Sequence, residues 1–447
     1  MSNKKQIYKP KPISGFPEWL PEVRRVEQQW LDHIRAIFER YGFCSIETPA
    51  VEELDVITAK GGDADKEIYV LERLQADPDD KKEARLALHF DQTVPMARYV
   101  AMNFNELVFP FKRYQMQKVW RGERPQAGRF REFMQCDIDV INVDNLPMHF
   151  DAEIPSVIWE VLSSLPGMED EKIQLRISNR KILTGLYYGL GFKDYKQSIE
   201  FFQALDKKDK IGQVAVVALL MHLGIDSKKA NAIIHATEIK STDASFAERV
   251  RNLGIKSDLL EEGLNELAFV MNNLKHLPEG SVVADLSIVR GLDYYTGTVY
   301  ETVFVEAPGY GSICSGGRYD DLAGGYINKH LPGVGISIGF SRLFDRLRQK
   351  GKFDTARISP ADVLVVLPSE ERRGETNETA QALRARGINV EAYHAPQKIG
   401  KQISYAEKKG IPYVWFPPFD DDGKHEVKNM ASGEQQEADP KSWNPHD

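Results

Sequence analysis

The chain has 447 residues, room for two to four domains, and its 42% hydrophobic content is enough to build their cores. A formal net charge of −8 excludes a protein that coats nucleic acid nonspecifically, because that needs lysine and arginine in excess over one face. No window reaches the ~18 uncharged apolar residues of a membrane span and the basic start "MSNKKQIYKPKPISG" has no apolar stretch, so a cytoplasmic protein without a membrane partner is expected.

After "PEW", Val23, Val26, Trp30, Ile34, Ile37, Phe38 and Tyr41 recur at spacings of three and four, which predicts an amphipathic helix stopped by Gly42. "FCSIETP" reads as a strand. In "HFDQTVPMARYV" an apolar run ends at Asp91 and Thr93 before a predicted helix, where the carboxylate could be an N-cap and nothing more. Residues 112–140 read as two strands joined by "RGERPQAGR", whose Pro and Gly residues fit a turn. Between about Asp194 and Leu277 the pattern becomes helical, with 3.6-period apolar faces in "QVAVVALLMHLG" and "LLEEGLNELAFVMNNLKHL". Strand-rich sequence resumes at "SVVADLSIVRG". The polar, Pro-terminated "RQKGKFDTARISP" predicts a linker. Beyond it, "ADVLVVLPS", a helix around Ala380 to Arg386, "INVEAY", the helix "KQISYAEKKG" and "IPYVWFP" alternate strand and helix, as in a small separate α/β domain.

Four segments carry residues suited to chemistry. From Lys112 to Arg131, seven cations stand against Glu123 alone, a local charge of +6 in an acidic chain. On neighbouring strands such cations can face one groove, and the planar fork of arginine suits phosphate oxygens; solvated edge-strand charge is the plainer alternative. "SIVRGLDYYTGTVYE" holds Arg290 just before Gly291, and Tyr294 and Tyr295 between Gly291 and Gly297, ahead of a strand, although an ordinary strand with a polar loop would look the same. "PGYGSICSGGRYDDLAGGY" and "LPGVGISIGFSRLFDRL" allow close backbone approach to a ligand and place Arg342 in the first turn of a helix. Gly333, Gly335 and Gly339 are spaced one residue too long for the dinucleotide fingerprint, and no GxxxxGK[ST] is present. Glycine-rich turns in a β-rich domain would fit that segment equally. In "HFDQTVP" the carboxylate is the fourth signal. Cys44, Cys136 and Cys314 lack CxxC spacing, so neither a disulfide framework nor a zinc cluster is expected.

Jointly these segments resemble the histidyl-tRNA synthetase family, class II aminoacyl-tRNA synthetases, along nearly the whole chain. "RGLDYYTGTVYE" is similar to the family's histidine-specific signature and "SGGRYDDL" to its glycine-rich companion. "YGFCSIETPAVE", "WRGERPQAGRFREF" and "GISIGFSRL" resemble class II motifs 1, 2 and 3, and "KQISYAEKKGIPYVW" with "VKNMASGEQQE" resembles the anticodon-binding domain. The resemblance implies an α+β fold: a catalytic core of antiparallel sheet flanked by helices in two parts, 1–193 and 278–350, with a helical insertion at 194–277. A linker at 351–360 and a C-terminal α/β anticodon-binding domain at 361–447 would follow. It also implies a homodimer joined through motif 1. The implied reaction is ATP-dependent ligation of L-histidine to tRNA(His) through histidyl-adenylate, releasing AMP and pyrophosphate, with Mg2+ accompanying ATP as substrate and no dedicated protein metal cluster.

By the same resemblance, Arg121 and Arg290 are the catalytic cations, flanking the α-phosphate and the carboxylate. Arg121, Glu123, Arg129 and Arg342 would bind ATP. Asp91, Gln92, Thr93, Arg121, Gln135, Asp139, Arg290, Tyr294 and Tyr295 would bind histidine, with Asp91 and Thr93 at the ammonium and Gln135, Asp139, Tyr294 and Tyr295 around the imidazole. Arg124 and Gln126 are expected at the tRNA acceptor end, and Arg384, Arg386, Lys398, Lys401 and Lys408 at the anticodon. The stretch from Ala361 to Asp447 has 11 Lys+Arg against 15 Asp+Glu, so such contact needs a local patch. Two alternatives share the resemblance. A noncatalytic synthetase-like subunit of histidine biosynthesis typically lacks an intact "RGLDYYTG" and the anticodon domain, and an uncharged-tRNA sensor is normally fused to a kinase, whose signatures are absent.

Overall fold

The apolar stripe of the first predicted helix forms α1 (Pro21–Arg40), and Gly42 beyond it takes φ +77°, the left-handed region that ends helices cheaply at glycine. The computed structural model describes residues 8–58, 67–74, 85–126, 128–193, 195–289, 295–321, 323–420 and 423–445. The chain divides into two units, Met1–Pro17 with Leu31–Lys350, and Glu18–Trp30 with Gly351–Asp447; α1 contributes its first half to the second unit and its remainder to the first.

The first unit continues with β1 (Cys44–Ser45), β2 (Val51–Glu53), α2 (Leu54–Thr58), β3 (Val70–Leu71), β4 (Leu86–Leu88) and α3 (Thr93–Met102). A long hairpin of β5 (Phe111–Trp120) and β6 (Glu132–Ile141) leads to α4 (Phe150–Ser164) and β7 (Ile173–Asn179). From Arg180 to Asn273 the chain is helical: α5 (Arg180–Gly189), α6 (Tyr195–Asp206), α7 (Lys208–Ile211), α8 (Gln213–His222), α9 (Ser227–Thr237), the two-residue β8 (Lys240–Ser241), α10 (Phe246–Arg251) and α11 (Asp258–Asn273). Then come β9 (Val282–Asp285), β10 (Thr298–Phe304), β11 (Cys314–Tyr319), β12 (Gly333–Ile338) and α12 (Phe340–Gln349).

Among the described residues nine strands form one sheet in the order β1-β5-β6-β12-β11-β10-β7-β9-β8, antiparallel except where β1 meets β5 and β7 meets β9. A small antiparallel sheet, β2-β4-β3, lies apart from it in pairing. Of "FCSIETP" only Cys44–Ser45 keeps ladder pairing. Beyond it the side chains of β5 take over: Gln115 donates to the Thr48 hydroxyl at 3.0 Å and Gln117 to the Thr48 carbonyl at 2.8 Å.

Strand alternation gives the large sheet two unlike faces. On β6, Cys136, Ile138 and Val140 are fully buried, and α4 and α12 pack against this part of the sheet with Ile154, Val157, Leu343 and Phe344 buried. Each such side chain contributes about 1.5–3 kcal/mol by leaving water. The other face of β6 carries Gln135, Asp137 and Asp139. Arg318, in the glycine-rich "SGGRYDDL", belongs to the helix side: its Nε donates to both Asp151 carboxylate oxygens at 3.1 Å, and Tyr300 donates its hydroxyl to the Asp151 carbonyl at 2.8 Å.

The second unit holds β13 (Val363–Val365), α13 (Arg373–Arg384), β14 (Val390–Ala392), α14 (Ile399–Lys409), β15 (Tyr413–Phe416), β16 (Glu426–Asn429) and β17 (Gln435–Glu437). Its sheet runs β14-β13-β15-β16-β17, parallel across the first three and antiparallel thereafter. Val363, Val365, Leu383 and Trp415 fill one face; Leu364, Val366, Ala406 and Val414 fill the other. Within this unit Trp30 stands edge-on to Phe353 with ring centroids 5.4 Å apart, and Arg25 donates to the Arg357 carbonyl at 3.0 Å. An antiparallel-dominated sheet flanked by helices, with a separate α/β unit, is the expected α+β architecture. Among the described residues no helix is long and apolar enough to cross a membrane.

Candidate active site

The β5–β6 hairpin pairs Arg113 with Asp139, Gln115 with Asp137 and Gln117 with Gln135. Across the sheet Asp139 meets Gly335 and Asp137 meets Ser337 on β12, which pair in turn with Gly317 and Ser315 on β11. These positions share one face, and two cavities of about 300 Å³ and about 250 Å³ open on it. They adjoin: Arg121, Glu123, Gln135, Ser315 and Ser337 line both.

The first cavity gathers Asp91, Thr93, Arg121, Gln135, Asp139 and Tyr295 of the expected histidine set. Asp91 Oδ1 accepts from the Val94 N–H at 3.2 Å, a capping bond at the start of α3, while the residue also lines the cavity. Burial pushes its carboxyl up, opposed by that N–H and by Arg121. Asp139 forms an ion pair with the wholly buried Arg113 and accepts from the Tyr319 hydroxyl at 3.0 Å. Burial raises this carboxyl too, with Arg113 and Tyr319 opposing. The glycines of β11 and β12 make the floor flat enough for these groups. A Cβ on Gly335 would overlap the Asp139 carboxylate, and one on Gly317 would meet the Tyr295 ring at 2.7 Å.

A polar chain links the two cavities. Arg121 Nε donates to the Phe90 carbonyl at 3.0 Å, its guanidinium lies over the Phe133 ring at 5.1 Å, and its other arm reaches Gln135 Oε1 at 3.5 Å, the long end of hydrogen bonding. Gln135 donates through Nε2 to Ser337 Oγ, which donates to Asp137 Oδ1. Burial pushes the Asp137 carboxyl up to about 7, against the pull of Arg113 and Ser337.

The second cavity is lined by Arg129 and Arg342 at separate positions in its wall. Arg342, in the first turn of α12, donates to the carbonyls of Ser312 at 3.1 Å and of Tyr310, and its guanidinium lies 5.0 Å over the Tyr310 ring. Burial holds this guanidinium below its ordinary value, and the positive charge of Arg129 adds to the effect. Arg129 in turn donates to Glu123 at 3.3 Å. Such a wall suits an extended polyanion.

Other expected residues fall elsewhere. Gln92 lines neither cavity: it is completely buried, and its Nε2 donates to the carbonyls of Gln117 at 2.9 Å and Gln135 at 3.2 Å, bracing the strands under the cavity. Arg124 and Gln126 are exposed in the β5–β6 loop. Arg290 and Tyr294 lie outside the described residues. Lys398, Lys401 and Lys408 are exposed on α14 and at its start, whereas Arg384 donates to the Val390 carbonyl at 2.7 Å and Arg386 to that of Ser442 at 3.0 Å. The cationic run is not one groove. Lys112 pairs with Glu153 of α4, Lys118 with Glu132, and Arg113 with Asp139, which leaves Arg121 and Arg129 to front the cavities. Sequence reasoning missed Arg113, Asp137, Ser315, Tyr319 and Ser337. For Asp137 the signal was present: polar Gln135, Asp137 and Asp139 alternate with apolar neighbours in "MQCDIDV".

A family model described as histidyl-tRNA synthetase matches residues 15–343, and one described as anticodon binding domain matches residues 362–442. The chain belongs to the histidyl-tRNA synthetase family. The histidine–tRNA ligase of Thermobifida fusca is 58% identical over 443 residues, covering 99% of this chain and 100% of that protein. That of Micrococcus luteus is 48% identical, covering 97% and 96%. The crystal structure of histidyl-tRNA synthetase from Nostoc sp. PCC 7120 superposes with a TM-score of 0.85 at 38% identity, covering 97% of each chain. All the residues lining the two cavities fall within the stretch matched by the histidyl-tRNA synthetase model.

Proposed function

We propose that the two cavities are the histidine and ATP halves of one active site. As a family member the chain is a class II histidine–tRNA ligase, joining L-histidine to tRNA(His) with ATP as substrate. The observation that carries the residue assignment is that Arg121 stands in the wall common to both cavities, where a carboxylate and an α-phosphate would have to meet.

In the first step the histidine carboxylate attacks the α-phosphate and pyrophosphate leaves; in the second the histidyl group passes from the adenylate to the terminal adenosine of tRNA(His). Such transfer needs positioning and charge neutralisation more than covalent help. Arg121, with Arg290, would neutralise charge at the reacting centre, Arg129 and Arg342 would take the outer phosphates, and Glu123 would orient ATP. Asp91 and Thr93 would hold the ammonium. Gln135, Asp139, Tyr294 and Tyr295 would grip the imidazole. A pocket that pairs both ring nitrogens rejects apolar isosteres strongly, since they would strand its buried polar groups. Mg2+ would accompany ATP, with Glu123 in the wall of the second cavity the carboxylate able to complete its shell.

Arg124 and Gln126 would meet the acceptor end and the lysines of α14 the anticodon. Division into catalytic parts 1–193 and 278–350, a helical insertion at 194–277, a linker at 351–360 and an anticodon-binding domain at 361–447 completes the reading, together with a cytoplasmic homodimer. The match to an anticodon-binding domain disfavours the noncatalytic alternative. Histidine-dependent ATP–pyrophosphate exchange tests the site: Asp139→Ala should raise the histidine KM about tenfold or more and the ATP KM far less. Equal changes in both would sink the assignment.

A further inference from the structure

Tyr310, in the segment between β10 and β11, lines neither cavity but stands behind the arginine wall of the second. It and Arg342 grip each other from both ends. The Tyr310 hydroxyl donates to the Arg342 carbonyl at 2.8 Å, and the Arg342 guanidinium donates back to the Tyr310 carbonyl while lying 5.0 Å from the ring. Arg346, one turn further along α12, places its own guanidinium 5.0 Å from the same ring and 4.1 Å from that of Phe304, and donates to Glu171 at 3.4 Å. Phe304 meets Tyr310 edge-on with centroids 6.0 Å apart. The phenol is thus fixed by groups outside the cavity. The two arginines that share it differ in one respect: Glu171 neutralises Arg346, whereas Arg342 is held by carbonyls, with its Nε buried and unpartnered among the described residues. Its charge is left for a ligand.

The basic loop of the β5–β6 hairpin docks on the same phenol. Gln126 and Arg129 close a turn by backbone hydrogen bonds of 2.8 and 3.2 Å, and Gly128 inside it takes φ +69°. A Cβ on Gly128 would meet the Tyr310 hydroxyl oxygen at 2.4 Å and Arg342 Cγ at 3.2 Å, so glycine is what lets the turn carrying Arg129 close onto this pair. One side chain therefore sets the spacing of two cations from distant segments. Like charges on long, flexible stems would otherwise splay apart, and each would lose rotamer freedom when an anion bound. We propose that Tyr310 is a positioning residue for the triphosphate, holding Arg342, with the Arg129 turn packed against it, at the spacing that the outer phosphates of ATP and the departing pyrophosphate require. This rests on the second cavity being the ATP half of the site. Tyr310 touches no substrate; it spares the arginines the ordering that binding would cost.

A split between substrates separates this role from a structural one. In ATP–pyrophosphate exchange, Tyr310→Leu should raise the KM for ATP and for pyrophosphate about tenfold and leave the histidine KM nearly unchanged. Equal rises for ATP and histidine, as a loosened site would give, or no rise at all, overturn the proposal. Because Tyr310 acts through Arg342, adding Tyr310→Leu to Arg342→Ala should raise the ATP KM by no more than about twofold further, and a second full tenfold rise overturns the proposal. If Tyr310→Leu does not fold, Tyr310→Phe decides: it keeps the ring beneath both guanidinium groups and gives up the bond to the Arg342 carbonyl. It should raise the ATP and pyrophosphate KM about threefold with the histidine KM unchanged, and wild-type values overturn the proposal. Should Arg342→Ala leave the ATP and pyrophosphate KM unchanged, the reading of the second cavity fails. Should Arg342→Ala raise them and Tyr310→Leu not, only the role of Tyr310 falls.

Discussion

Arg113 and Asp139 stand opposite each other in the β5–β6 register and form an ion pair whose guanidinium has no contact with solvent. The Nε and Nη1 of Arg113 are buried without a hydrogen-bond partner among the described residues, so Asp139 is its principal compensation. Such a pair adds little net stability, but removing one member strands the other charge. Here the stranded charge would be the proposed imidazole acceptor.

Arg113→Met should therefore raise the histidine KM about tenfold or more while the ATP KM changes little. Burial already raises the Asp139 carboxyl, and Arg113 is the largest opposing influence. Without it the carboxyl protonates at higher pH, and because the ionised form is the acceptor, kcat/KM for histidine should fail at higher pH on acidification than in the wild type. Pyrophosphate exchange from pH 5 to 9 would show this; coincident profiles would contradict it.

Asp137 should lower the stability of the free enzyme in a pH-dependent way. Its folded value of about 7 stands above the ~3.9 of an unfolded aspartate, so the folded chain binds more protons between those values. Stability consequently falls as pH rises from about 4 to about 7, by an amount on the order of a few kcal/mol. Asp137→Asn should melt higher than wild type at pH 8, with the gap narrowing at pH 5. Calorimetry on ligand-free protein checks it, and a gap that does not change with pH would refute it.

Arg290, outside the described residues, is assigned through the "RGLDYYTG" signature. A guanidinium that neutralises charge developing during attack on phosphorus acts in the transition state, so Arg290→Ala should slow pyrophosphate exchange about 10²-fold or more with little change in ATP affinity. Lysine should rescue only in part, since a point charge cannot replace a planar fork. Near-normal exchange in a folded variant would return "SIVRGLDYYTGTVYE" to an ordinary strand with a polar loop.

The C-terminal cations should divide into two classes. Lys401 and Lys408 are seven residues apart, hence on one face of α14, Lys398 immediately precedes the helix, and all three are exposed. Replacing all three with alanine should weaken tRNA(His) binding and flatten its salt dependence while pyrophosphate exchange continues. Arg384 and Arg386, tied to backbone carbonyls, should affect thermal stability more than tRNA binding. Steady-state aminoacylation at several salt concentrations distinguishes these outcomes.

The sequence by itself determined the elements whose pattern is local. The period of α1, the paired strands around the basic loop and the strand–helix alternation beyond Ala361 all follow from side-chain spacing, and the motif resemblance led to the family now shown for the chain. Tertiary structure alone decided which polar groups face the cavities. Asp91 and Gln92 are neighbours, yet the first lines a cavity and the second is spent on carbonyls of β5 and β6. Arg113 and Arg121 come from one cationic run; one is buried against Asp139 and the other stands between two cavities. The partner of Asp137 is Ser337, 200 residues away in sequence. Strand periodicity determines that alternate residues share a face, but whether that face meets helices, solvent or a cavity depends on strands brought alongside from distant parts of the chain, and so does the charge each carboxylate can hold.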